Sequence, residues 1–379
     1  MNDGGKNGRE NAGRENDKRV QKYLSYTPAD IYDDGIGRVP TVKQTGKKLP
    51  DYAAEKSEIR LVGKKGTRWH FYARGVDLVF VWIEPGRFKT KTDKGISRIV
   101  EITDGFWLME TQTTVEAFEA FSQATGYVVP KGACGYDEQT RRFKFDEKYT
   151  YKNPGFHNFL LGANYPATCV DWAGANAFCS WLNEEFCDKL EPWGRQKRRR
   201  LCFRLPTEAE WELACRAGSS KAYSFGGNPN DLQEFGNFDE GGKRDGYNEL
   251  APTKSFYPNV YRLYDMHGNV WEWCADWYAP YKKKVWFGAE KNPNGPASGM
   301  ERVMRGGSWN SSARVCRSAS RGSAPPWSRD VRIGFRVALT FLPEEKLSKF
   351  LKIFPCRCDK NGLNDCNQWC WRRRQGGKK

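Results

Sequence analysis

The sequence predicts an α+β fold that is rich in loops, with small antiparallel sheets and a few helices. Three observations lead to this class. Short alternating apolar runs follow one another through residues 58–108, which is typical of strands. Three later segments carry helix start signals. Beyond Gly218 the chain is rich in Gly, Asn, Asp, Pro and Trp, and loops of that length are uncommon unless polar contacts or ions hold them.

The strands are predicted where apolar residues alternate between turn residues. The first three runs are 59–62, 68–73 and 78–83, and Gly63 and Gly75 separate them. A turn at Pro85 and Gly86 then precedes another alternating run at 99–108.

The helices are predicted from their capping signals. Thr113 with Glu116, and Thr207 with Glu210, have the spacing of a capping box ahead of apolar faces. Asp171 is the predicted N-cap of a further amphipathic run between them. The glycines predicted to end the first and third helices are Gly126 and Gly218.

Composition limits the class of protein. The 379 residues carry 62 Lys plus Arg against 46 Asp plus Glu, a formal charge of +16, but the basic residues lie in separate places. No stretch approaches the roughly 20 apolar residues of a spanning helix, so no membrane span is predicted. The first residues lack an apolar signal region, which predicts a cytoplasmic protein whose 12 cysteines are thiols or metal ligands rather than disulfides.

Three regions are predicted from these patterns. Residues 1–57 form a disordered polar arm, 58–342 one folded domain, and 343–379 a tail rich in Cys and basic residues. The tail is interpreted either as disordered or as a zinc site that could contact nucleic acid through Trp371 and the arginines at 372–374. A basic run at 195–200 is predicted to be a solvated insertion. The four candidate zinc ligands are Cys356, Cys358, Cys366 and Cys370.

Several ordered blocks carry a resemblance to a known family. Residues 204–218 (RLPTEAEWELACRAG), 263–273 (LYDMHGNVWEW), 305–309 (RGGSW) and 333–337 (IGFRV) resemble the signature blocks of the formylglycine-generating enzyme family, the sulfatase-modifying-factor domain. With three earlier blocks the resemblance covers residues 77–340 in order. It implies a variant C-type-lectin-like fold with bound calcium.

The resemblance implies two calcium sites. Carboxylate, amide and carbonyl oxygens are the ligands that calcium prefers, although the same Asp and Asn residues could serve only as turn formers. The first implied ligand set is Asp265, the carbonyls of Gly268 and Val270, and Glu272. The second is Asn237, the carbonyl of Phe238, Asp245 and the carbonyl of Tyr247.

The resemblance also raises the question of copper. Copper-dependent members of the family bind Cu(I) through two cysteines, five residues apart, and oxidise a substrate cysteine to formylglycine. Cys316 matches the second of these cysteines, but Ser311 stands where the first should be, and a hydroxyl is a poor ligand for Cu(I). Ser308 matches the family's active-site serine, and Arg305 and Arg336 match its framework.

Other activities are disfavoured by the sequence. His70, His157 and His267 are too scattered for an iron site. The chain also lacks the GxSxG elbow of serine hydrolases.

Residues 305–336 also resemble the variable segment of retroelement-diversified lectin-fold proteins. The sequence therefore predicts a calcium-stabilised domain that binds a ligand or peptide, possessing only one copper cysteine. The alternative is a formylglycine-generating oxidase that acts on a protein cysteine and uses a further thiol such as Cys134. The predicted binding face comprises Trp309, Ser311, Ser312, Arg314, Ser320, Ser323, Trp327, Asp330 and Arg332.

Overall fold

The computed structural model of the protein describes residues 57–62, 68–91, 97–137, 142–155, 161–194, 199–239, 245–281 and 288–343. The predicted arm, apart from Ser57, and the tail beyond Pro343 lie outside these residues. The proposed zinc cysteines, His157 and residues 195–198 of the basic run therefore lie outside them too.

The largest sheet has six strands, and all neighbouring strands in it are antiparallel. Its last strand in sequence is inserted between two earlier ones, so the two ends of the described chain meet in one sheet. The alternating runs at 59–62, 68–73 and 78–83 are confirmed as its first three strands. In spatial order the strands are β1 (Glu58–Val62), β2 (Arg68–Ala73), β3 (Val76–Ile83), β6 (Phe106–Met109), β15 (Ala338–Pro343) and β9 (Arg199–Arg204).

Three smaller sheets complete the strand content. The predicted single run at 99–108 is two strands in different sheets, because the chain turns at residues 103–105. The four-stranded sheet has the order β13 (Gly322–Ala324), β12 (Arg302–Arg305), β10 (Trp271–Trp277), β14 (Ile333–Gly334). The others are β11 (Ala289–Lys291), β5 (Ser97–Ile102), β4 (Gly86–Lys91), and the hairpin of β7 (Ala133–Asp137) and β8 (Arg142–Asp146).

The three predicted helices are present as α1 (Val115–Thr125), α2 (Trp172–Gly194) and α3 (Glu208–Arg216), with a 3-10 turn at Pro229–Glu234. None of the helices in the described ranges is long and apolar enough to cross a membrane.

The helix ends follow the predicted chemistry with two corrections. Thr114, rather than Thr113, is the N-cap of α1, and its hydroxyl accepts a hydrogen bond from the Ala117 N–H. Thr113 cannot act as the cap because its side chain is buried against Met109. The capping box of α3 is confirmed, but the C-cap of this helix is Ala217, which adopts the left-handed conformation, and not Gly218.

A buried ion pair joins the middle of the chain to its end. Arg336 and Glu272 are fully buried, and the guanidinium contacts both carboxylate oxygens at 2.7 Å. The Trp211 indole N–H donates to the same carboxylate at 2.6 Å. Arg336 also donates to the carbonyls of Met109 (3.2 Å) and Tyr264 (2.9 Å). One arginine thus connects β6, β10 and the loop that leads into β10.

A second buried arginine holds the segment after β12. Arg305 contacts the Glu212 carboxylate of α3 at 2.6 Å. It also donates to the carbonyl of Ser318, at 2.9 Å, and to that of Ser320. Because these carbonyls lie 13 and 15 residues further along the chain, Arg305 closes the whole 305–320 segment onto α3.

His267 attaches the same segment to a neighbouring loop. Its Nδ1 lies 2.9 Å from the carbonyl of Cys316, and its Nε2 accepts a hydrogen bond from the Ser224 N–H at 3.1 Å. A carbonyl can only accept a hydrogen bond and a backbone N–H can only donate one. The proton is therefore on Nδ1, Nε2 carries none, and the imidazole is neutral. Burial lowers the pKa of His267 to about 4. Its neutral form is therefore the one that the fold requires.

We predict that Arg336→Leu will strongly destabilise the protein, because it leaves the buried Glu272 carboxylate without its cation. The loss expected for breaking a buried pair is about 3–5 kcal/mol of unfolding free energy. Arg87→Leu is the control, since Arg87 is exposed and pairs with Glu101 at the surface, where the loss is at most about 1 kcal/mol. Urea denaturation measures both, and equal losses would contradict the prediction.

We also predict that His267 makes stability depend on pH. Its folded pKa of about 4 lies below the roughly 6.5 of the unfolded chain, so the unfolded state binds more protons between these values. The contribution is complete above pH about 6.5 and falls by about 3 kcal/mol as the pH drops to 4.

The comparison with His267→Gln isolates this contribution, because glutamine offers a donor and an acceptor but does not titrate. The difference in unfolding free energy between the two proteins should shrink steadily from pH 6.5 to 4 in urea denaturation. A difference that stays constant over that range would show that His267 does not titrate as described.

Candidate functional site

The described part of the chain contains a cleft of about 500 Å³ between the β7–β8 hairpin and the segment at 322–333. Its rim carries two exposed aromatic side chains, Trp327 (65% exposed) and Phe145 (60% exposed). Met304 and Ile333 are buried and lie at its wall. The complete lining is Cys134, Phe145, Met304, Ser323, Ala324, Trp327, Ser328, Arg329, Asp330, Arg332 and Ile333.

Backbone hydrogen bonds attach the hairpin to the opposite side of the cleft. The Cys134 N–H donates to the Arg329 carbonyl at 2.8 Å, and the Val331 N–H donates to the Cys134 carbonyl at 3.0 Å. The Arg329 side chain reaches the Gly132 carbonyl at 2.7 Å. These hydrogen bonds join two parts of the chain that are almost 200 residues apart. They fix the position of one wall of the cleft relative to the other.

Each arginine of the cleft is paired with a carboxylate. Arg332 contacts both carboxylate oxygens of Asp330, at 2.8 and 2.6 Å, and its guanidinium lies 3.8 Å from the centre of the Phe143 ring. Arg329 contacts Asp171 at 3.6 Å. A ligand would therefore meet arginines whose charge is already balanced.

The Cys134 thiol at the cleft is not activated. Burial and the neighbouring Asp330 carboxylate raise the pKa of Cys134 above its usual value. A thiol with a raised pKa is protonated at neutral pH, and the thiolate is the form that attacks substrates or binds copper. This residue can line the cleft but is poorly suited to oxidase chemistry.

The structure brings four of the predicted binding residues together in the cleft, namely Ser323, Trp327, Asp330 and Arg332. Trp309 lies beside this group, because its ring is 6.4 Å from Phe143, the ring beneath Arg332.

The remaining predicted binding residues do not line the cleft. Ser312 and Arg314 are exposed elsewhere on the loop. Ser320 is buried, and its hydroxyl donates to the Arg314 carbonyl at 3.0 Å, which is a structural role. The predicted face is thus divided between a cleft, an exposed loop and buried turn residues.

Ser311 is committed to a turn. Its hydroxyl accepts a hydrogen bond from the Ser308 N–H at 3.1 Å and lies 3.0 Å from the Ser308 hydroxyl. The buried Ser308 hydroxyl in turn donates to Asn310 at 2.9 Å. Cys316 is fully buried, and its sulfur lies so close to Gly307 that a Cβ there would come within 2.6 Å of it. A hard oxygen held in a turn and one buried thiol do not fit the two-thiolate requirement of Cu(I).

The first predicted calcium set surrounds a side-chain amide. The Gln112 Nε2 lies 3.2, 3.3 and 3.1 Å from the carbonyls of Asp265, Gly268 and Val270, and 3.0 Å from the Glu272 carboxylate. The Asp265 Oδ1 is buried without a hydrogen-bond partner among the described residues, and burial raises the pKa of Asp265 to about 6. Three of the predicted ligands, the Gly268 and Val270 carbonyls and the Glu272 carboxylate, are therefore in contact with an amide nitrogen, whereas the Asp265 carboxylate oxygen Oδ1 is not.

The second predicted calcium set fits a cation better. The buried Asn237 Oδ1 has no hydrogen-bond partner within the described ranges. The Asp245 carboxylate accepts hydrogen bonds from the N–H groups of Phe238 (2.8 Å) and Tyr247 (3.0 Å), which draws the two ends of this loop together. An unpartnered buried oxygen in a loop closed by a carboxylate is an environment that a hard cation satisfies.

Sequence reasoning did not identify Phe145 or Gln112 as site residues. The alternating Tyr136, Phe143 and Phe145 around a polar turn could have indicated the β7–β8 hairpin. Nothing in the sequence indicated that the Gln112 amide would reach a loop about 150 residues later.

The chain is similar to known proteins in sequence and in fold. The sulfatase-modifying factor enzyme 1-like domain family matches residues 77–341. Formylglycine-generating enzyme from Mus musculus is 30% identical over 277 residues, which cover 63% of this chain and 67% of that enzyme.

Two solved structures are similar as well. Treponema denticola variable protein 1 superposes with a TM-score of 0.55 at 25% identity, covering 71% of this chain and 97% of that one. PvdO from Pseudomonas aeruginosa has a TM-score of 0.51 at 29% identity and covers 69% and 94%. The predicted C-type-lectin-like fold is confirmed. The chain therefore belongs to the sulfatase-modifying factor enzyme 1-like domain family.

Proposed function

We propose that this protein is a member of the family that binds a peptide or protein ligand and does not act as an oxidase. One observation carries the proposal: a cleft rimmed by exposed Trp327 and Phe145 whose arginines are already neutralised. Large exposed apolar side chains at the rim of a cleft mark binding sites in soluble proteins.

The lining indicates an apolar ligand group. The volume of about 500 Å³ lies within the range of ligand sites and is large enough for an aromatic or branched aliphatic side chain. Because Arg332 is paired with Asp330 and Arg329 with Asp171, the described lining of the cleft has no unbalanced cation to select an anionic group. Trp and Phe supply large contact areas with little loss of conformational entropy, as in paratopes.

The surrounding frame is rigid enough to present such a site. Ser323 donates to Glu301 at 2.6 Å, and Asp330 accepts a hydrogen bond from the Arg332 N–H at 2.8 Å. The likeness to Treponema denticola variable protein 1 supports a display role for this segment. On this proposal, changes at the exposed positions would alter the ligand and leave the frame intact.

Calcium is proposed at the second predicted set only as a stabiliser of this frame. The Asn269 N–H donates to the Asn237 carbonyl, and the Trp309 N–H donates to the Asn269 carbonyl, both at 2.8 Å. The Asp239 N–H donates to the Ser311 carbonyl at 2.8 Å. An ion held by Asn237 and Asp245, with the carbonyls of Phe238 and Tyr247, would thus brace the loop that carries Trp309 and Ser311.

The oxidase alternative has less support in this chain. Relatives named formylglycine-generating enzyme make that activity the family-level expectation. However, Ser311 is held in a turn, Cys316 is fully buried, and the Cys134 thiol has a raised pKa. Each of these features opposes the joint binding of copper and a substrate thiol.

We predict that Trp327→Ala will abolish most of the binding of cleft ligands. The probe is a set of peptides selected from a random phage-displayed library against the full chain, and we expect them to share an aromatic or aliphatic residue. Truncation of a central aromatic anchor costs about 2 kcal/mol or more, which is a roughly 30-fold loss of affinity in calorimetry.

Tyr257→Ala is the matched control, since Tyr257 is also an exposed aromatic residue (42% exposed) but does not line the cleft. This change should leave the affinity within about 2-fold, because it removes no contact to the peptide. Selected peptides that lose affinity equally in both variants, or in neither, would refute the cleft as the binding site.

We further predict that the unmodified chain will not bind Cu(I) through Cys316. Reduced protein and its Cys316→Ser variant should compete equally for Cu(I) against a chromophoric chelator. Ser311→Cys should bind at least about 100-fold more tightly, and only when Cys316 is present, because it supplies the second soft ligand. Conversion of a peptide cysteine to formylglycine by the unmodified chain in air, lost in Cys316→Ser, would establish the oxidase instead.

A further inference from the structure

The amide of Gln112 lies where three oxygens of the first predicted calcium set converge with the backbone carbonyl of Asp265. Its Nε2 is within 3.0–3.3 Å of four oxygens, three of which belong to the Asp265, Gly268 and Val270 carbonyls and one to Glu272. Gln112 and Glu272 are fully buried. An amide NH2 group has two hydrogens, so the four oxygens share its two N–H donors in the dry interior.

The orientation of this amide is fixed by its other end. The Asn269 Nδ2 donates to the Gln112 Oε1 at 3.2 Å, while the Asn269 Oδ1 accepts a hydrogen bond from the Ala251 N–H at 3.0 Å. Rotating the Gln112 amide by half a turn would place its oxygen against four oxygens and its NH2 group against that of Asn269. The hydrogen-bond network therefore assigns the nitrogen to the four oxygens.

The four oxygens around the Gln112 amide form a ring whose charge is also balanced without a metal. Glu272 is the carboxylate among the four oxygens, and Arg336 contacts both of its oxygens at 2.7 Å. Calcium sites in proteins gain their affinity from carboxylates whose charge is available to the ion. Here a dication would have to compete with a buried guanidinium for the same carboxylate.

We infer that Gln112 takes the place of calcium in this ring and holds the loop at 265–272 by hydrogen bonds alone. The Asp265 Oδ1 is the one oxygen of the set that stays unpartnered among the described residues. A single carboxylate oxygen does not make a calcium site when the other ligands are bonded to an amide. The inference is independent of the peptide cleft.

The first test is calcium stoichiometry by equilibrium dialysis on the full chain, beside an Asp245→Asn variant that disables the second set. Zero calcium ions on the unmodified chain, or one ion that is lost in Asp245→Asn, would support the inference. Two ions, or one ion retained in Asp245→Asn, would overturn it. This measurement does not require any change at Gln112, and a circular dichroism spectrum of Asp245→Asn matching that of the unmodified chain shows that the loss of an ion is not a loss of folding.

The second test converts the proposed substitute back into a ligand. Gln112→Glu, combined with Asp245→Asn, places a second carboxylate in the ring and should lower the melting temperature in chelator by roughly 10 °C. Added calcium should restore it, because an ion that binds only the folded state stabilises that state. A variant that gains no calcium response would overturn the inference.

Gln123→Glu is the matched control for this change. Gln123 also donates its amide to a glutamate, the Glu119 carboxylate at 2.8 Å, and the substitution likewise sets two carboxylates side by side. Made in the same Asp245→Asn background, it should show no restoration by calcium, because the carbonyl oxygens surround residue 112 and not residue 123. Equal calcium rescue of both variants would indicate a general effect of the ion and overturn the inference.

Discussion

The buried pair of Arg336 and Glu272 is the constraint on which the rest of the structure depends. The guanidinium and carboxylate are both fully buried, and Trp211 and Gln112 add donors to the same carboxylate. A pair of this kind adds little net stability compared with an apolar core, but removing one partner is costly. The pair therefore restricts how the chain can fold. Arg336 and Glu272 are paired only when β6, β10, α3 and the chain after β14 meet at one point.

The 305–320 segment, which precedes the cleft wall at 322–333, is also held by buried polar contacts. Arg305 fixes its two ends on α3, His267 attaches it at Cys316, and Ser308 and Ser311 close its first turn. Polar groups that face inward hold this backbone, and the exposed Trp327 follows it in the chain. The site is a surface carried by buried polar contacts, which is the opposite arrangement to an apolar core with polar loops.

Local signals predicted the fold better than the site. Capping boxes involve residues three apart, so the start of α3 could be predicted from Thr207 and Glu210 alone. The cleft could not, because its walls are joined by contacts such as Arg329 to Gly132, 197 residues apart. The same limit applies to Gln112, whose partners lie 153 to 160 residues away. Family blocks supplied the fold, while long-range hydrogen bonds decide what the loops can bind.

The position of β15 has a consequence for how the chain folds during synthesis. This strand lies between β6 and β9, and β9 has no other partner in the described sheet. The large sheet therefore cannot be completed until the ribosome has released residues up to 343, and Arg336 arrives only shortly before them. Until then β6 and β9 present open edges, which are prone to pair with other chains. A nascent chain of this protein is expected to need shielding late in translation, when almost all of the domain is already outside the exit tunnel.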